Sequence, residues 1–300
     1  MRLGVDFGGT KIEAALLDSK GEILARQRVP NPGDYQGAVR AVADLVARIE
    51  QETGARAMTV GFAVPGSLSP ATGLMRNANS TWLNGKPFLK DLKSALARPV
   101  RLENDANCFA LSEAVDGAAA HGRVVFGVII GTGCGGGVVV ERKVIEGVNG
   151  IGGEWGHTPL PWARADETTE RHWCGRFGCL EQWISGSGFK AWAGMSAGEA
   201  DEAARAGDAK ARVLLDQLAD RIARGLAVVM DILDPDVIVF GGGVSNIESL
   251  YPSVRGKLLA YVFSDVVRTE LVKNKHGDSS GVRGAAWLFE ADGGASEHLA

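Results

Sequence analysis

Apolar positions open the chain in short, strand-length runs. Leu3 to Phe7, Ile12 to Leu17 and Glu22 to Val29 are separated by Gly8-Gly9-Thr10-Lys11 and by Ser19-Lys20-Gly21, a pattern that predicts hairpins. Pro30 to Gly33 is loop. Asp34 then caps a helix in which Val39, Val42, Ala43, Val46 and Ile49 recur at helical spacing up to Gly54. Thr59 to Val64 is a buried strand closed by Pro65-Gly66. Residues 67–99 read as irregular and polar. Val100 to Leu102 is a short strand, and a helix runs from Asn104-Asp105 to Val115. The Ala-rich stretch Asp116 to Gly122 marks a boundary.

The opening pattern then returns. Val124 to Ile130 is a strand, Gly131-Thr132-Gly133-Cys134-Gly135-Gly136 a turn, and Gly137 to Glu141 a strand. Two copies predict two similarly built halves. Residues 150–190 are loop-rich and gather Trp, His and Cys. A long helix over 209–233 stops at Asp234-Pro235, and Val237 to Phe240 is a strand followed by Gly241-Gly242-Gly243. A last helix covers Gly281 to Glu290, and the tail after Asp292 frays.

Both glycine turns suit an anion, because glycines let backbone N–H groups converge on phosphate oxygens. In the first, Gly8, Gly9, Thr10 and Lys11 would hold the phosphates and Asp6 a hydrated Mg2+. This is not a Walker loop, since the G-x4-G-K spacing is absent and a strand follows the turn. Alone, it reads equally as an ordinary hairpin. The matched turn at Gly131, Thr132, Gly133 and Gly135 favours nucleotide binding. Gly241, Gly242 and Gly243 suit close approach to a flat ring, or simply a tight corner.

Glu103-Asn104-Asp105-Ala106-Asn107 lies where a strand meets a helix. Asp105 is a candidate general base, kept charged by the helix N-terminus. A weak base suits phosphoryl transfer, where the hydroxyl loses its proton late. Plain capping by Asn104 or Asp105 is the alternative. His157, His172, Cys174 and Cys179 have the types and spacing of zinc ligands, and four of them make a closed, structural site. The alternative is two structural cysteines beside unrelated histidines. Cys108 and Cys134 read as small buried residues.

Composition narrows the classes. The 300 residues allow two medium domains, and a net charge of -4 argues against nucleic acid. The pI is about 5.8. No apolar run is long enough for a membrane span, and Met1 leads straight into the first strand, so a cytoplasmic protein with reduced thiols is expected.

Together, Asp6 to Lys11, Glu103 to Asn107, Ile130 to Gly133, Glu154-x-Gly-His157 and Cys174-Gly-x-x-Gly-Cys179-x-Glu181 resemble the ROK family (repressors, open reading frames and kinases) over essentially the whole chain. Within it the chain is similar to bacterial fructokinases of the manno(fructo)kinase type, through Asn77 to Gly85, Glu113 to Ala119 and Lys275 to Gly284. The resemblance implies an α/β fold of two RNase H-like (actin-like ATPase) domains around a central cleft that closes on substrate. Residues 1–117 would form a small N-terminal domain, with a C-terminal helix at about 281–300 packing back on it. Residues 118–280 would form a large domain with a zinc-binding loop.

The implied activity is ATP- and Mg2+-dependent phosphorylation of a hexose 6-hydroxyl, with D-fructose as acceptor. Glucose, mannose and N-acetylglucosamine are alternatives. A sugar-responsive transcription regulator is disfavoured by the acidic pI and by a first strand that starts at Leu3. The family pattern makes Asp105 the base. It places Gly66, Asn79, Asn104, Glu154, His157 and Glu181 at sugar-contacting positions. His157 would ligate zinc through one ring nitrogen and meet a sugar hydroxyl through the other. His172 stands where the family usually has Cys, so a structural Zn2+ held by two His and two Cys is expected. A homodimer is also implied.

Overall fold

The computed structural model describes residues 1–289. The end of the helix predicted to reach Glu290 and the tail after Asp292 lie outside the described residues. Two compact units emerge. Among the described residues, one comprises 1–117, 144–152 and 276–289. The other comprises 118–143 and 153–275. Segments 144–152 and 276–280, grouped with the second half on sequence, thus cluster with the first. Among the described residues no helix is long and apolar enough to cross a membrane.

The first unit begins with β1 (Arg2–Phe7), β2 (Lys11–Leu17) and β3 (Ile23–Pro30). Helix α1 (Tyr35–Thr53) follows, with Asp34 accepting the Gly37 N–H at its start and Gly54 left-handed at its end. Then come β4 (Val60–Val64), a small hairpin of β5 (Ser67–Leu68) and β6 (Met75–Arg76), α2 (Phe88–Leu96), β7 (Val100–Asn104) and α3 (Asp105–Val115). The sheet order is β3-β2-β1-β4-β7. β1 is antiparallel to β2 and parallel to β4, and β4 is parallel to β7. Helices α1 and α2 bury Val42, Leu45, Ile49, Phe88 and Leu92 against Val5, Phe7 and Phe62. Helix α2 corrects the irregular reading of 67–99. Its Phe88, Leu92 and Leu96, four apart, form a buried stripe that the polar surroundings masked.

The second unit repeats the plan with β8 (Val124–Ile130), β9 (Cys134–Val140) and the start of β10 (Lys143–Val144), whose last residue clusters with the first unit. After the loop-rich stretch come α4 (Glu181–Ile184), α5 (Gly186–Ala193), α6 (Ala197–Arg205) and α7 (Ala209–Leu233). β11 (Val237–Gly241), α8 (Leu250–Leu258) and β12 (Glu270–Lys273) complete it. Its order, β10-β9-β8-β11-β12, matches that of the first sheet, with β8 antiparallel to β9 and parallel to β11. β9 starts at Cys134, three residues earlier than expected. Gly135 is therefore a strand residue opposite Ile129 rather than part of the turn.

The chain returns to the first unit with α9 (Ser280–Trp287). Val282 and Ala286 of this helix pack on Ala15 and Leu17 of β2.

Candidate active site

In the first unit the turn between β1 and β2 is closed by the Gly8 N–H donating to the Lys11 carbonyl at 3.0 Å. Asn31 braces it, its side chain donating to the Gly8 carbonyl at 2.8 Å and its backbone N–H to the Thr10 carbonyl at 2.9 Å. Thr10 and Lys11 are exposed. Ser80 lies so close that a Cβ on Gly9 would sit 3.0 Å from its hydroxyl. Asn79, next to it, is exposed in a loop tied by Asn84, whose side chain bonds both the N–H and the carbonyl of Ala78.

Asp6 is the penultimate residue of β1, two positions before Gly8. Burial pushes its carboxyl up to about 6, aided by the charges of Asp105 and Glu13 and opposed by Lys11. Asp6 offers one carboxylate to a cation, with the Asp105 charge in electrostatic reach, which suits a Mg2+ that keeps most of its water. Asp105 is exposed at the first position of α3. Asn104 is the cap of that helix, its Oδ1 accepting the Ala106 N–H at 2.9 Å, and Asp105 Oδ1 accepts the same N–H at 2.8 Å. The Asn104 amide also donates to the Gly66 carbonyl at 3.2 Å, which brings those two predicted residues together. Behind them Glu103 accepts from the Asn104 N–H and the Asn107 side chain. Burial, then the charge of Glu146, pushes its carboxyl up to about 7.

In the second unit the turn from Gly131 to Gly133 is closed by the Gly131 N–H on the Gly133 carbonyl at 3.0 Å. The Gly186 N–H donates to the Gly131 carbonyl at 2.7 Å, and the Ser187 hydroxyl to the Thr132 carbonyl. Gly242, left-handed at φ 80°, packs on this turn. A Cβ there would lie 2.5 Å from the Ile130 carbonyl oxygen, so Gly241 and Gly243 flank a glycine-only contact. Glu181 connects the turn to the cysteine loop. Its Oε2 accepts the Cys134 N–H at 2.7 Å, and its Oε1 meets His172 Nε2 at 2.8 Å and the Trp173 indole N–H at 2.9 Å.

That loop brings the donor atoms of His157, His172, Cys174 and Cys179 within 4.8 Å of one another. The two sulfurs are 3.6 Å apart. Two thiolates on a tetrahedral zinc, each at about 2.3 Å, stand roughly 3.8 Å apart, so the spacing fits. His172 turns Nδ1 toward Cys174 Sγ at 3.1 Å and Nε2 toward Glu181, the arrangement of a metal-binding histidine oriented by a carboxylate. His157 Nδ1 is buried with no hydrogen-bond partner, while its Nε2 lies 3.8 Å from Glu154 Oε2. Burial raises both thiols. At Cys174 hydrogen bonds from His172 and the Arg176 N–H prevail and bring it to about 6, whereas the neighbouring Cys174 takes Cys179 further up, to about 11. Cys108 and Cys134 are buried, as expected.

Sequence reasoning thus finds the turns, the base candidate and the four donors by residue type and spacing. It misses Asn31, Ser80 and the Glu181–Cys134 bond, which arise only when distant segments meet.

Residues 2–292 match the ROK family. The N-acetyl-D-glucosamine kinase of Shigella boydii serotype 4 is 38% identical over 305 residues, spanning 97% of this chain and all of that protein. A ROK hexokinase from Thermus thermophilus is 34% identical, with a TM-score of 0.84 over 95% of this chain and 96% of that one. A ROK family glucokinase from Streptomyces griseus, solved with glucose and AMPPNP, is 27% identical with a TM-score of 0.75, over 96% and 98% of the two chains. These names lend the fructose expectation no support. On the full-length match and the shared fold, the chain belongs to the ROK family and has the two-domain, actin-like ATPase fold of its sugar kinases.

Proposed function

We propose that this protein transfers the γ-phosphoryl group of ATP to the 6-hydroxyl of a hexose, with N-acetyl-D-glucosamine as the acceptor to test first. The observation that carries the reading is Asp105, an exposed carboxylate at the start of α3 in electrostatic reach of Asp6, in a chain of this family. Asp105 accepts the hydroxyl proton. Asn104, capped onto α3 and bonded to Gly66, fixes where that carboxylate stands. Bond-making lags bond-breaking in a loose transition state, so positioning matters more than base strength. Asp6 would hold a hydrated Mg2+, which when bound would supply positive charge to the transferred phosphate. Gly8 to Lys11, Gly131 to Gly133 and Gly241 to Gly243 hold the nucleotide. Gly66, Asn79, Asn104, Glu154, His157 and Glu181 take the sugar hydroxyls.

The cysteine loop holds structural Zn2+ through His157 Nδ1, His172 Nδ1, Cys174 and Cys179. Ligation at Nδ1 would hold the His157 ring with Nε2 facing Glu154, 3.8 Å from its Oε2. Metal analysis of the purified protein should give one zinc per chain. Finding none removes this part of the reading. A homodimer, implied by the family resemblance, is checked by sedimentation.

The acceptor follows the relatives named N-acetyl-D-glucosamine kinase. Fructose is the second reading, favoured by the stretches Asn77 to Gly85, Glu113 to Ala119 and Lys275 to Gly284. Steady-state kcat/KM for N-acetylglucosamine, glucose, mannose and fructose separates them. A preference of tenfold or more for N-acetylglucosamine is about 1.4 kcal/mol of transition-state discrimination and supports the first reading. The reverse order supports fructose, and no turnover of any hexose overturns the kinase.

A further inference from the structure

Two stretches far apart in sequence, Glu113 to Ala119 and Lys275 to Gly284, meet in the first unit. Helix α3 supplies Glu113, and Asp116 follows its last residue. The start of α9 supplies Ser280 and Arg283, with His276 just before it. Glu113 Oε1 accepts the His276 N–H at 3.1 Å and the Ser280 hydroxyl at 2.9 Å. His276 Nε2 stands 2.8 Å from Asp116 Oδ1. Arg283 donates to Asp116 Oδ2 and to the Gly21 carbonyl. Glu113 and Ser280 are buried, at 0% and 1% exposure, so neither can exchange its partner for water.

Three glycines show how tightly α9 is seated. A Cβ on Gly4 would lie 2.1 Å from the Val282 carbonyl oxygen, one on Gly61 1.8 Å from that of Ala285, and one on Gly284 1.7 Å from that of Cys108. Helix α9 therefore touches β1, β4 and α3 at backbone distance. The residue after Ser280 is different. A Cβ on Gly281 would meet the Asp6 carboxylate, at 2.8 Å from Oδ2, and thus the far end of a side chain rather than backbone.

We infer that the bonds of Glu113 and Asp116 to His276, Ser280 and Arg283 form a latch that positions Asp6. They hold the Gly281 backbone beside its carboxylate and so limit the space that carboxylate can occupy on that side. Gly281, Ser280 and Arg283 are positioning residues. They touch neither nucleotide nor sugar in this reading and act through Asp6. The inference rests on the proposal that Asp6 holds the divalent cation. It also gives the stretches 113–119 and 275–284 a common physical role.

The test measures Mn2+ affinity by electron paramagnetic resonance in the complex with AMPPNP, for wild type, Asp6→Asn, Gly281→Ala and Ser280→Ala, with thermal unfolding of each. Gly281→Ala should weaken Mn2+ about tenfold, the loss typical when the support of a metal-binding group is altered. Its Tm should stay near wild type, because a side-chain end and not backbone must give way. Ser280→Ala should weaken Mn2+ less, and it carries the test if Gly281→Ala fails to fold. If Asp6→Asn binds Mn2+ as tightly as wild type, the assignment of Asp6 fails and the inference falls with it. If Asp6→Asn is weakened but Gly281→Ala and Ser280→Ala are not, the latch alone is overturned.

Discussion

The two glycine turns occupy the same place in two sheets of the same order, between the first strand and its antiparallel neighbour. Their surroundings differ. The first has Asp6 before it, Lys11 after it and Asp105 in electrostatic reach, and its brace is a neutral side chain, Asn31. The second runs from Ile130 to Cys134 with no charged residue in the turn, and its brace is the Glu181 carboxylate, already committed to His172 and Trp173. One backbone frame therefore serves two chemistries. In the proposed function, proton and cation handling fall to the first unit. The second holds its turn through a carboxylate that also bonds His172, one of the four candidate zinc donors.

That division predicts unequal damage. Removing the base should hurt most. Asp105→Ala should lower kcat by about 10^3, within the range for loss of a general base, while binding of AMPPNP persists. Near-normal turnover in that variant would refute the assignment. Glu181→Gln tests the second unit. It should weaken zinc retention against a chelator by about 10- to 100-fold, because the carboxylate sets the orientation of His172. Unchanged zinc release would show that Glu181 serves the turn alone.

The braces themselves give a smaller contrast. Gly242→Ala puts a Cβ 2.5 Å from a backbone oxygen at a left-handed position, and should cost about 1–3 kcal/mol of stability by denaturant unfolding. Gly9→Ala meets only the Ser80 hydroxyl, at 3.0 Å, which can rotate away. It should change stability little and weaken nucleotide affinity instead. Equal losses of stability at both positions would erase the distinction between a rigid and a yielding turn.

Much of this was open to sequence reasoning, for identifiable reasons. The strand–turn–strand repeat, α1 and α7 were readable because their apolar periods are long and unbroken. The four N and S donors, which the structure brings together, and Asp105 as a candidate base were open to reading because chemistry limits the residue types. Helix α2 was missed because its nine residues lie in a polar stretch, and β12 because a four-residue strand with exposed ends shows no alternation. Short helices α4 to α6 fell within or beside the loop-rich stretch, although Ser196 and Glu199 form a capping box that could have announced α6. The contact of Gly281 with Asp6 joins residues at opposite ends of the chain, and no local pattern carries it.

A last comparison concerns two carboxylates that each hold two arginines. In the first unit Glu13, buried in β2, takes Arg26 and Arg28 from the neighbouring strand. In the second, Glu167 takes Arg221 and Arg224 from α7, together with the Arg164 N–H. Glu13 joins strands already paired by backbone bonds. Glu167 instead ties the loop leading to His172 and Cys174 onto a helix. Arg224 reinforces the tie through the carbonyls of Pro161 and Trp162. Burial raises the Glu167 carboxyl, but the hydrogen bonds from Arg224, the Arg164 N–H and Arg221 prevail and hold it down to about 2, from an ordinary 4.5. A depressed carboxyl contributes stability that is complete above its unfolded value and is lost as pH falls through its folded one. Glu167→Gln should therefore lower Tm by a few degrees at neutral pH, and the gap to wild type should close as pH falls from about 4.5 toward 2. A gap that stays constant over that range would mean the loop is held by shape and not by charge.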